Sequence, residues 1–225
     1  MMDQLQYYWI AKKASKEDYM IVKRIPAGIY AANCYVLYSE NEKEGIVVDP
    51  GGDVDDIIKF INENNIDIKH IVLTHGHGDH IGGVSELKNE LDVDILIHEA
   101  DMDMLKSGEK NLSSIMAIGS IEISPDGLLN DGDILEFGDV KLSVIHTPGH
   151  TLGGICLYAD DSLISGDTLF KDSIGRTDLE GGDMETIIRS IREKLFVLPG
   201  HTIVYPGHGP ETSIDYESKN NPFLK

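Results

Sequence analysis

The stretch IVLTHGHGDHIGG, residues 71–83, places His75, His77, Asp79 and His80 within six positions, directly after an apolar strand-like run. No other feature constrains the chain as tightly. A lone histidine is ordinarily a surface residue or a hydrogen-bonded core residue. Three imidazoles and a carboxylate at this density would repel one another when the rings are protonated and gain little when they are neutral. A cation resolves the conflict, because neutral imidazole and carboxylate are the usual ligands of zinc and other borderline divalent ions. The glycines at 76, 78, 82 and 83 permit the tight backbone that would aim successive side chains inward.

Three later stretches repeat the arrangement. TPGHT puts His150 just past the strand-like run 140–145, SGDTLF puts Asp167 past 162–165, and YPGHGP puts His208 past 203–205. Loops at one rim of a sheet scaffold are where sites are built. Seven ligand-type residues exceed one tetrahedral ion and suit two ions sharing a carboxylate.

The remaining pattern supplies such a scaffold. Strand-like stretches fill residues 20–38, and GIVVDPGG adds a third, ending at Asp49. VDDIIKFINENN has apolar residues at 54, 57, 58 and 61, a helical spacing, with Asp53 as its N-cap. HIVLT reads as a strand, IGGVSELKNEL as a helix, VDILIH as a strand and EADMDMLKS as a short helix. Residues 107–133 are polar and turn-rich and read as a surface excursion. DILEFG, VKLSVIHT, GICLYA and SLISGD are strands. DMETIIRSIREKLFVL is an amphipathic helix, TIVYPGHG a strand and turn, and PETSIDYESKN a closing helix. Strands in runs with helices interleaved predict an α/β fold of sheet layers flanked by helices.

The 225 residues suit one layered domain. A net charge of −20 disfavours nucleic acid and anionic lipid surfaces as partners. Cys34 and Cys156 are too few for a disulfide framework, which fits a reduced cytoplasmic setting. No apolar run approaches the length of a membrane span. The opening MMDQLQYYWIAKKASK has its apolar patch before its lysines, the reverse of a secretory signal.

Taken together and in order, THGHGDH, His150, Asp167 and His208 resemble the motifs of the metallo-β-lactamase fold hydrolases, over roughly residues 20 to 225. The resemblance implies a four-layer αββα sandwich, two β-sheets between helices, with residues 1–19 as an N-terminal extension. It implies His75, His77 and His150 on one ion, Asp79, His80 and His208 on the other, and Asp167 bridging. The cofactors implied are two divalent cations, zinc foremost, with iron and manganese as alternatives. Asp49 in VVDPGG matches the family's aspartate near the site, where it would orient a ligand loop or histidine. The plain alternative is a turn-capping aspartate. His70, His98, His146 and His201 lie outside the motifs and read as structural or surface residues, with His98 and His146 nearest to a supporting role. Cys156 reads as a small apolar packer within a strand.

Within that family, GDTLFKDSIGRTDLEGGD is similar to glyoxalase II, the hydroxyacylglutathione hydrolases. IGRTD, LPGHTIVYPGHGPETSI and NNPF look most like the short, single-domain bacterial branch. Full-length glyoxalase II carries a longer C-terminal helical region whose basic residues bind the glutathione carboxylates, and this sequence departs from it there. Arg176 matches by position the basic residue that contacts glutathione. An ion pair with Asp172, Asp178 or Glu180 is its plain alternative.

The expected activity is hydrolysis of a thioester of the S-acyl-glutathione kind. Two cations would lower the pKa of a shared water from about 15.7 toward 7, and the resulting hydroxide would attack the carbonyl. Asp79 would serve as a ligand while accepting a hydrogen bond from the nucleophile. A departing thiolate needs little protonation, and no GxSxG elbow is present. One alternative is a mononuclear iron persulfide dioxygenase, which shares GRTD but typically ends in PAHDY where this chain has PGHGP. Another is a metal-dependent phosphoesterase or nuclease, against which the −20 charge argues. The partners expected are a small-molecule thioester or ester, with no nucleic acid and no membrane. The sequence is silent on oligomeric state.

Overall fold

The computed structural model describes residues 20–225. The expected extension, residues 1–19, lies outside the described residues. Six strands form the first sheet in chain order: β1 (Met20–Ala27), β2 (Ala32–Ser39), β3 (Glu44–Val48), β4 (Asp67–Leu73), β5 (Asp94–His98) and β6 (Gly127–Leu129). β1, β2 and β3 pair antiparallel, and β3 to β6 run parallel. The parallel crossovers carry α1 (Val54–Asn64), α2 (Gly78–Ile81), α3 (Val84–Leu91) and α4 (Met102–Leu105).

The second sheet is built from β7 (Ile134–Phe137), β8 (Val140–His146), β9 (Ile155–Ala159) and β10 (Ser162–Gly166), and from two strands near the C-terminus. After β10 a small hairpin intervenes, β11 (Leu169–Phe170) with β12 (Ser173–Ile174). α5 (Met184–Ser190) follows, then β13 (Ile203–Pro206), β14 (Thr212–Ser213) and α6 (Ile214–Asn220). The spatial order is β14-β13-β10-β9-β8-β7, with β13 parallel to β10.

Three apolar clusters account for the layering. β2 is buried along its whole length because its two faces serve different clusters. Cys34, Val36 and Tyr38 pack with Val54, Ile57, Ile61, Val84 and Leu87 of α1 and α3. Tyr35 and Leu37 face the second sheet, against Phe137, Leu142, Val144, Leu157 and Ile164. The outer face of the second sheet, with Leu163 and Val204, packs on Ile187, Ile191 and Ile214. The period of two in a strand thus fills two separate cores, and the layer order is helix, sheet, sheet, helix. The expected αββα sandwich is the observed fold.

Several local expectations need correction. Residues 107–133 are no simple excursion: β6 closes the first sheet, and Asn111, Ser113 and Ile123 are buried. Their polar run hid a three-residue strand. Asp53 occupies the N-cap position of α1, as expected, but its side chain makes no capping hydrogen bond. It takes a left-handed backbone (φ 48°), and its carboxylate instead accepts from the Gly28 N–H at 2.8 Å. The amphipathic stretch after Asp183 is α-helical only over Met184–Ser190 and continues as a wider π turn, Ile191–Leu195. The closing helix begins at Ile214, because Thr212–Ser213 pair with β13 first. No helix among the described residues is long and apolar enough to cross a membrane.

Candidate metal centre

The ligand-type residues leave the sheets at strand ends on one rim. His75, His77, Asp79 and His80 follow β4, while His150 follows β8, Asp167 follows β10 and His208 follows β13. The glycines of the HGHGDHIGG turn act differently from the expectation. None of the glycines at 76, 78, 82 and 83 takes a positive φ. Their value is close approach: a Cβ on Gly76 would press on Met104, and one on Gly78 on Met116 and Ser113.

The seven side chains converge as two triads. Donor atoms of His75, His77 and His150 lie within 4.8 Å of one another, and so do those of Asp79, His80 and His208. Asp167 stands between them, with one carboxylate oxygen 3.5 Å from His150 Nε2 and the other 3.5 Å from His80 Nε2. His208 Nε2 approaches Asp79 Oδ2 at 3.2 Å.

Hydrogen bonds behind the triads set which ring nitrogens point inward. His150 Nδ1 donates to the Arg176 carbonyl at 2.8 Å, leaving Nε2 its lone pair. His80 Nδ1 donates to Asp49 Oδ2 at 3.0 Å. Asp49 also accepts from the Thr74 N–H (2.7 Å) and the Thr74 hydroxyl (2.5 Å). With its proton committed to Asp49, the Thr74 oxygen accepts from His75 Nδ1 at 3.1 Å. One buried carboxylate therefore orients His80 directly and His75 through Thr74, the arrangement that fixes tautomers around metal ligands. The Asp49 carboxylate thus bonds beyond its own turn.

The fit to cations follows from what these inward atoms lack. His75 Nε2 and Asp167 Oδ1 are buried without a hydrogen-bond partner among the described residues. His77 Nδ1 and His150 Nε2 approach to 3.0 Å, and His80 Nε2 and His208 Nε2 to 3.2 Å, so the inward ring nitrogens crowd one another. Such groups are costly to bury unpaired, and a divalent cation in each triad would satisfy them.

The electrostatics divide along the same line. Burial and the neighbouring His80 and His150 hold His75 well below the usual imidazole range. Burial and His150 push His77 down to about 3. Burial would also depress His80, but Asp167 and the hydrogen bond to Asp49 outweigh it and raise His80 to about 10. Burial would raise Asp79, yet the His208 hydrogen bond and the nearby His80 hold its carboxyl well below the usual carboxylate range.

Arg176 lies at the rim, its side chain 60% exposed. Its guanidinium pairs with both oxygens of Asp178 at 2.8 Å. The ion pair weighed above is thus present, and the arginine's charge still contributes to depressing His77. His98 and His146 stack with ring centroids 4.0 Å apart, and His146 Nε2 donates to the Leu152 carbonyl, two residues past His150. Cys156 is fully buried and its thiol is pushed up to about 11 by that burial, as a packing residue would be. Both cysteines are free. Sequence reasoning missed Thr74, Asn33 and Asp101. Asn33 did carry a signal, as a polar residue inside the otherwise apolar run ANCYVLY.

Comparison with known proteins agrees with this geometry. A probable metallo-hydrolase, YqgX of Bacillus subtilis, is 40% identical over 205 residues, covering 90% of this chain and 96% of that protein. Hydroxyacylglutathione hydrolase GloC of Haemophilus influenzae is 35% identical, covering 91% and 98%. Among solved structures, BLEG-1, described as a B3 metallo-beta-lactamase, superposes with a TM-score of 0.86 at 39% identity, covering 91% of this chain and all of that one. TTHA1623, solved in a di-iron-bound form, gives a TM-score of 0.79 at 31% identity, covering 90% and 100%. The family model for the metallo-beta-lactamase superfamily matches residues 27–208, from the end of β1 to His208. The chain belongs to the metallo-beta-lactamase superfamily and is a metal-dependent hydrolase of that group.

Proposed function

We propose that the protein hydrolyses a thioester of the S-acyl-glutathione kind with two divalent cations, zinc or iron, held by His75, His77 and His150 and by Asp79, His80 and His208, with Asp167 shared. The observation that carries the reading is the pair of convergent triads with Asp167 within 3.5 Å of a histidine of each. Cations held there supply a water of lowered pKa and a Lewis acid for the carbonyl. Asp79 stays ionised beside His208 and His80, so its carboxylate is ready to accept a hydrogen bond from the attacking water. Asp49 keeps the rings of His80 and His75 turned inward. Arg176, at the rim, offers a guanidinium to a carboxylate of the thiol carrier, exchanging Asp178 for substrate. The name of the GloC relative supports the thioester, and the di-iron form of TTHA1623 supports two ions.

The test is metal content per chain on protein purified without added metal, followed by release of thiol from an S-acyl-glutathione. Two ions and thioester cleavage are expected, and Asp167→Ala should lower both. Oxygen uptake on glutathione persulfide with one iron per chain, and no thioester cleavage, would promote the dioxygenase instead. A second reading, β-lactam hydrolysis, is favoured by the likeness to BLEG-1. A chromogenic cephalosporin in the same assay separates the two.

A further inference from the structure

Asp49 reaches one ring of each triad, but beyond it the two triads are held from behind by different groups. Asp101, 1% exposed just before α4, takes no place in either triad. Its Oδ2 accepts from the Gly76 N–H at 3.2 Å, between His75 and His77, and from the Thr151 hydroxyl at 2.7 Å, beside His150. Its Oδ1 accepts from the Gly153 N–H at 2.6 Å. All three donors lie on the two loops that carry His75, His77 and His150.

The turn 206–209, which carries His208, is held from the first sheet. The Asn33 N–H donates to the Gly207 carbonyl at 2.7 Å. Asn33 Nδ2 donates to the carbonyls of Pro206 (2.8 Å) and Gly209 (3.0 Å), so one amide brackets His208. The Tyr35 hydroxyl donates to Pro206 O at 2.7 Å, and Arg24 Nη1 to Gly209 O at 3.1 Å. The His208 side chain is 32% exposed, against 4% or less for His80 and His150, so side-chain packing confines it least.

We infer that Asp101 and Asn33 are positioning residues for separate ions: Asp101 sets the His75–His77–His150 triad, and Asn33 sets the Asp79–His80–His208 triad. The inference rests on the two-cation reading above. The chemistry of each position is specific. Asp101 meets donors only, so an amide there would turn an N–H toward another N–H. Asn33 Nδ2 meets two carbonyls, and a leucine of the same shape would leave both without its donor. Groups that orient metal ligands typically change affinity by about 10–100-fold when replaced.

Zinc titration of metal-stripped protein, followed calorimetrically, tests this in two backgrounds. His208→Ala leaves the first triad whole, and His77→Ala leaves the second. Asp101→Asn should weaken zinc by about 10–100-fold in the His208→Ala background and change it little in the His77→Ala background. Asn33→Leu should do the reverse. Thr151→Val and Tyr35→Phe remove one donor each and should give the same signs at smaller size, should a buried substitution prevent folding. General destabilisation cannot produce this crossed pattern. Equal losses in both backgrounds, or none in either, overturn the inference while leaving the two-cation reading intact. Unsubstituted protein that binds fewer than two zinc ions overturns both.

Discussion

At the scale of single residues, charge rather than packing separates the roles. Arg176 is exposed and its guanidinium hydrogen-bonds Asp178 rather than a triad residue, so its removal should spare the metals. We expect Arg176→Ala to raise KM for an S-acyl-glutathione by roughly tenfold or more, the worth of one charge-assisted hydrogen bond, with kcat and metal content held. Lost metal would show instead that the side chain holds in place the backbone carbonyl that His150 bonds. The imidazoles predict a pH dependence for the metal-free protein. His75 and His77 are held neutral, so below about pH 6.5 the unfolded chain binds protons that the fold refuses, and stability falls with acid. His80 has its pKa raised to about 10. Its contribution is fully present below about pH 6.5 and is lost as the pH rises through about 10. The melting temperature of chelator-treated protein should therefore peak near neutrality, and a flat profile from about pH 5 to 9 would contradict both shifts.

At the scale of elements, the turns do what the strands cannot. Gly207 shows it best: a methyl there would run into Asp167 Oδ1 and come within 2.8 Å of the His80 ring. Gly207→Ala should keep the fold yet release at least one ion, measured as metal per chain beside an unchanged far-ultraviolet circular dichroism spectrum. The ligand turns were legible in the sequence because their residue types are rare and closely spaced. The groups that position them were not. Asp101 read as an ordinary acid in a short helix, and only the fold brings it to Gly76 and Thr151, 25 and 50 residues away. Strand β6 escaped for a related reason: three residues cannot display a period of two, so its place depends on pairing with β5. Asp53 illustrates the opposite error. A local capping pattern was present, but the Gly28 N–H outcompeted the helix for its carboxylate.

At the scale of the molecule, each expected boundary has a measurable meaning. All the ligand-type residues and both sheets lie within 20–225, and the family match begins at residue 27. A chain started at Met20 should thus retain full metal content and turnover, and a large loss would assign residues 1–19 a part in the site. The layered architecture carries a further consequence. The first sheet supplies His75, His77, Asp79 and His80, and the second supplies His150, Asp167 and His208, so each triad draws on both. A bound ion would then act as a rivet through the seam between two halves of the molecule. Each occupied triad adds about 4 kcal/mol to the folded state at a thousandfold excess of free ion over Kd. That energy acts across the seam rather than within either half. Scanning calorimetry should show one sharp transition for loaded protein. After chelation it should show a lower, broader one, as the halves lose the link that makes them melt together.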